Sequence, residues 1–124
     1  MAMVHAAVIS DAEQDMKRTL KMLELPEKAS NIGIKIATCD YRRSETGATT
    51  DPTVLDALIK TLRSKYSSCE IFVFENDASG TNAETLFRYL GIDEIAKRHD
   101  CRTVSLSKTD WVPKKIDGFH FKET

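Results

Sequence analysis

At 124 residues the chain is long enough for one domain with a real core. Apolar residues make up 41% and charged residues 30%, and 18 Lys and Arg against 19 Asp and Glu give a net charge of −1. This balance excludes a disordered chain and lacks the basic footprint of a nucleic-acid binder, so no nucleic-acid partner is expected. The longest apolar run near the start, Ala6 to Ile9, is too short for a signal-peptide core or a membrane span. No membrane association and a cytoplasmic location are the expectations. Cys39, Cys69 and Cys101 are odd in number and widely spaced. No CxxC pair is present, so spacing points to no zinc or iron–sulfur site, and free buried thiols are expected.

Val4 to Ile9 reads as a first strand. Ser10 and Glu13 then have capping-box spacing, and Ala12, Met16, Leu20 and Leu23 recur every three or four residues. That predicts an amphipathic helix ending before Pro26. Ile32 to Thr38 reads as a second strand, with Ile32, Ile34 and Ile36 on one face and Gly33 and Lys35 on the other. A polar loop from Cys39 to Thr50 leads into Asp51-Pro52, an N-cap followed by a proline that lacks the orphaned amide. Leu55, Leu58, Ile59, Leu62 and Tyr66 form the stripe of the helix that follows.

Ile71-Phe72-Val73-Phe74 is uninterrupted apolar, as in a parallel strand covered on both faces. It runs into the loop Glu75-Asn76-Asp77-Ala78-Ser79-Gly80 and then a helix whose capping box is Thr81 and Glu84. Gly91 is a helix stop, Asp93 to His99 a short helix, and Arg102 to Leu106 a fourth strand. Asp117-Gly118 predicts a two-residue hairpin turn between Val112–Ile116 and Phe119–Phe121, with Trp111 packing the hairpin against the body. The expected fold is a single α/β domain over 1–124, a βα core (1–106) with a hairpin tail (107–124). Its architecture would be a Rossmann-like three-layer sandwich with a mostly parallel sheet of about four strands plus a C-terminal β-hairpin.

In open parallel sheets ligands sit where loops leave the carboxyl ends of the strands. Ser10-Asp11, Cys39 to Asp51 and Glu75 to Thr81 are expected to meet at that rim, with Ser107 to Asp110 as a fourth loop. The first three run into helix N-termini, which favour anions. Asp11, Asp51, Glu75 and Asp77 oppose a bare phosphate there, while Arg42, Arg43 and Lys108 could supply positive charge. Candidate ligand-binding residues are Lys35, Thr50, Asp51, Glu75, Asn76, Asp77, Ser79 and Gly80.

Each has a plainer alternative. Thr50, Asp51 and Thr81 fit helix capping. Glu75, Asn76 and Asp77 fit a solvated turn as well as a ligand site. If they hold a metal, their oxygens suit Mg²⁺ or Ca²⁺, with Asp77 the candidate ligand. Lys35 could be an ion-pair partner, a strand-end residue reaching water, or a substrate contact. His5, His99 and His120 have no ligand spacing. There is no G-x-S-x-G, P-loop or GxGxxG pattern, and no catalytic residue is assigned.

The chain resembles the domain-of-unknown-function 362 family. The resemblance is carried by Ile34-Lys35, by Gly47-Ala48-Thr49-Thr50-Asp51-Pro52 before a helix, and by an apolar strand ending near Asp77 and Gly80. Leu90-Gly91-Ile92 and Glu94-Ile95-Ala96 also match the family's short helix. It spans roughly residues 31–106. Where the family continues Lys-Pro-Asn, this chain has Ile36-Ala37 after Lys35. Many members carry a ferredoxin-like module with clustered cysteines, which this sequence lacks, so no iron–sulfur cluster is expected. Members are usually much longer, so the resemblance implies that this chain corresponds to the N-terminal part of a larger architecture, as an excised fragment or a reduced stand-alone relative. A missing partner domain would leave an unpaired edge, so a homodimer through the C-terminal hairpin or its neighbouring edge is expected. The family itself has no agreed activity. The functional expectation is therefore binding of a small anionic ligand or divalent metal at the rim, or alternatively a non-catalytic interaction or oligomerisation module.

Overall fold

A computed structural model describes residues 6, 8–78 and 80–116. In chain order it contains α1 (Ala12–Lys21), β1 (Asn31–Lys35), α2 (Pro52–Lys65), β2 (Glu70–Glu75), α3 (Ala83–Tyr89), α4 (Ile92–Arg98) and β3 (Arg102–Ser105). Short 3₁₀ turns occupy Ser44–Thr46 and Leu106–Lys108. The three strands are parallel in the order β1-β2-β3, with Ile34 opposite Val73 and Val73 opposite Thr103.

The strand order determines the layering. Each connection steps one place in the same direction, and right-handed crossovers then set α2 and the α3–α4 pair on the same face. Ile34, Ile36, Ile71 and Val73 point to that face and are buried against Leu55, Ile59, Phe87 and Ile92. α1 packs on α2, and its Leu20 reaches the same core. Among the described residues no helix lies on the other face, so these residues form two layers of the expected three. Phe72 and Phe74 on that second face are only half-buried. Their rings lean over β1 at Gly33, where a Cβ would stand 2.9 Å from Phe74 Cε1 and 3.1 Å from Phe72 Cε2.

Three strands stand where about four were expected. Half of the predicted Val4–Ile9 strand (residues 4, 5 and 7) lies outside the described residues, and Val8 and Ile9 are exposed and non-regular. The hairpin's turn and second arm also lie outside them, as do His5 and His120, and of Val112–Ile116 only Lys115 takes part in a bridge. Trp111, 72% exposed, does not pack against the body. Cys69 and Cys101 are buried free thiols, but Cys39 is exposed because it opens the rim loop rather than ending a core strand. Among the described residues no helix is long and apolar enough to cross a membrane.

Both predicted capping boxes are displaced by one residue. α1 is capped by Asp11, whose Oδ1 accepts from the amides of Glu13 and Gln14, while Asp15 Oδ2 accepts from the amides of Ser10 and Asp11. α3 is capped by Asn82, whose Oδ1 accepts from the Thr85 amide. An Asx side chain next to a hydroxyl residue takes the cap because it caps at least as well. Asp51 caps α2 as the Asp-Pro pair predicts, accepting from the Thr53 amide at 2.7 Å.

Candidate functional site

Three loops meet at the carboxyl ends of the strands. Glu75 is the last residue of the central strand and is only 9% exposed. Its Oε2 accepts from Lys35 Nζ and from the Thr38 amide, both at 3.1 Å, and its Oε1 accepts from the Asn76 amide at 2.9 Å. One carboxylate thus ties the end of β1, the loop after it and the loop after β2. Lys35 is 58% exposed along its side chain, so it is an ion-pair partner with its ammonium still open to water. Thr38 is buried, and its hydroxyl oxygen has no hydrogen-bond partner.

Asp77 performs a similar role one loop further on. Its Oδ1 accepts from the Ala83 amide at 2.8 Å and from Ser105 Oγ, and its Oδ2 from Asn82 Nδ2. The Asp77 amide donates to Ser107 Oγ at 3.0 Å, and Ser107 Oγ also bonds Asn76 Oδ1. The loop after β3 therefore joins the rim through Ser105 and Ser107. Ser105 ends β3 as Glu75 ends β2, a place at the carboxyl end of a strand that the predicted fourth strand already gave it. Among the described residues no group of three or more His, Cys, Asp or Glu side chains could hold a metal ion.

Thr50 closes the long loop onto β1: its amide donates to the Ala37 carbonyl at 2.8 Å and its Oγ1 accepts from the Ala37 amide at 2.9 Å. Thr38 and Thr49 form an isolated antiparallel bridge. Thr81 Oγ1 donates to the Cys39 carbonyl at 3.5 Å, and Tyr41 meets Tyr89 edge to face, with ring centroids 5.5 Å apart. Gly80 sits at φ 81° with open space where a Cβ would be. Ser79 lies outside the described residues. Ser10-Asp11 does not join the rim, because α1 lies along α2, where Lys60 Nζ donates to Glu13 Oε2 at 2.6 Å.

Of the three cations expected to offset the rim carboxylates, two are engaged. Arg42 pairs with Asp40 and Lys108 with Glu84, each at 2.7 Å. Arg43 has no ion-pair partner among the described residues. It lines a polar recess of about 360 Å³ at the start of α2, with Ser44, Glu45, Asp51, Thr53 and Tyr89. Burial pushes the Asp51 carboxyl up, but the Thr53 amide that donates to it, with the nearby Ser44 and Thr53 hydroxyls and Val54 amide, outweighs this and holds the group below its ordinary value.

Fold and rim together define a small parallel α/β domain with its polar loops gathered at the carboxyl edge of the sheet. The family comparison agrees, matching residues 32–124 to the model described as domain of unknown function (DUF362). The chain belongs to this family. The match extends past β3 to the last residue, beyond the segment where the motifs are legible. No curated protein and no solved structure matches the chain.

Proposed function

We propose that the rim binds a small anionic ligand, held in the recess before α2. Arg43 carries the reading: among the described residues it is the rim cation without an ion-pair partner, and it lines the recess beside the hydroxyls of Ser44 and Thr53, which together with it must offset the two carboxylates, Glu45 and Asp51, that line the same recess. The N-terminal end of a 14-residue helix adds its dipole. Glu75 and Asp77 act as positioning groups that fix the surrounding loops, since every oxygen of both is already an acceptor. This support favours an anion over a divalent metal at Asp77. Isothermal titration with inorganic phosphate tests it. Saturable one-site binding that Arg43→Gln weakens at least tenfold is expected; equal binding by the two proteins would overturn the reading.

A second reading, an interaction module, draws on the open sheet face carrying Phe72 and Phe74. A homodimer could use this face as well as the expected C-terminal hairpin, whose turn lies outside the described residues. A dimer mass in native mass spectrometry is expected on this reading, and a strict monomer at high micromolar concentration would count against it.

A further inference from the structure

A second recess lies away from the rim, between α1 and α2, with a volume of about 380 Å³. This is within the range of small-molecule pockets, about 300–1,000 Å³. Its apolar lining is four leucines: Leu20 from α1, Leu23 and Leu25 from the chain after it, and Leu62 from α2. Lys17, Lys21 and Lys65 ring this lining, and among the described residues no carboxylate lines it. Lys17 is engaged by Glu13 at 2.8 Å. Among the described residues Lys65 meets only the Leu25 carbonyl, at 3.4 Å, and the face of Tyr66. Lys21 has no ion-pair partner among the described residues. Lys21 and Lys65 close their helices, where they complement the carbonyl ends. That position holds two ammonium groups, without carboxylate partners, at the mouth of an apolar recess.

We infer that this recess binds an aliphatic carboxylate, with its chain on the leucines and its head between Lys21 and Lys65. The charge pattern selects the ligand class: a neutral hydrocarbon would leave the ammoniums unanswered, and a compact anion would leave the leucines exposed. The recess is too small for a folded partner segment, and its half-enclosed form suits a single chain. The long lysine stems extend the apolar wall while their heads stay in water. This site is separate from the rim and does not depend on the anion reading there.

The test is calorimetry with butanoate, hexanoate, octanoate and decanoate below their aggregation limits, beside 1-octanol and anionic lipid vesicles. Each added methylene should tighten binding about fourfold until the leucine wall is covered. 1-Octanol should bind at least tenfold more weakly than octanoate. The Lys21→Gln/Lys65→Gln double variant should lose a similar factor for carboxylates and none for the alcohol. Leu23→Ser, at a position half open to solvent, should weaken all chain lengths while the variant stays folded. Affinity independent of chain length, equal binding of acid and alcohol, or binding to vesicles without binding to the free acids would each overturn the inference.

Discussion

Replacing Glu75 with glutamine should cost far more stability than the loss of one surface charge. In the folded protein the carboxylate accepts three hydrogen bonds while 9% exposed. A carboxamide has one accepting oxygen. If that oxygen keeps Lys35 and the Thr38 amide, the new NH₂ faces the Asn76 amide donor to donor; the flipped amide opposes two donors instead. The less costly arrangement loses one bond to a charged acceptor, about 1.5–3 kcal/mol, and leaves a buried donor unmatched. The Lys35 pair contributes little more, because its ammonium is half exposed and such pairs are worth about 0–1 kcal/mol. The expected destabilisation is about 2–4 kcal/mol, against a total stability of about 5–15 kcal/mol for a typical domain. Urea unfolding reads it as a fall in midpoint on the order of 1–2 M at unchanged slope. Lys35→Met should move the midpoint by a small fraction of that. If Glu75→Gln unfolded within about 0.5 kcal/mol of the parent, as an ordinary surface change does, Glu75 would not be the tie that joins the rim loops.

Three further outcomes follow from the packing. The Arg63 guanidinium donates to the carbonyls of Cys69, His99 and Asp100, so Arg63→Met should lower stability by about 2–3 kcal/mol in thermal unfolding. Arg63→Lys should recover only part of this, since an ammonium cannot span the same fork. Gly33→Ala should cost about 1 kcal/mol by displacing the two phenyl rings, read as lower Tm together with shifted Phe72 and Phe74 ring resonances. Glu13 is held at about 2 by hydrogen bonds from Lys17 and Lys60, below its unfolded value of about 4.3. Its contribution is therefore present above about pH 4.3 and lost as pH falls toward 2. The gap in Tm between the parent and Glu13→Gln should be largest above pH 5 and close by pH 2.

Much of the fold can be read from local pattern. The Asp51-Pro52 start, the Gly91 stop at φ 74° and the alternation of Ile34 and Ile36 with Gly33 and Lys35 all depend on neighbouring residues. The misses have physical reasons. Ser10 and Thr81 were outcompeted by the Asx residues beside them. The run Ile71–Phe74 has the composition of a strand covered on both faces, yet among the described residues one face carries no helix, because layering depends on the order in which strands join the sheet. The ties at the rim were invisible for the same reason: Glu75 meets Lys35 across 40 positions, and Arg63 reaches carbonyls 36 and 37 positions away. Arg43, Arg42 and Lys108 were named together, but only the folded chain shows which two are paired.

The central claim is that the recess before α2 is an anion site, and amide NMR during a titration with inorganic phosphate tests it most directly. The account predicts saturable shifts centred on Arg43, Ser44, Thr53 and Val54 that disappear in Arg43→Gln. Shifts scattered over the lysine-rich surface of α1, or none at the start of α2 while the parent remains folded, would contradict it.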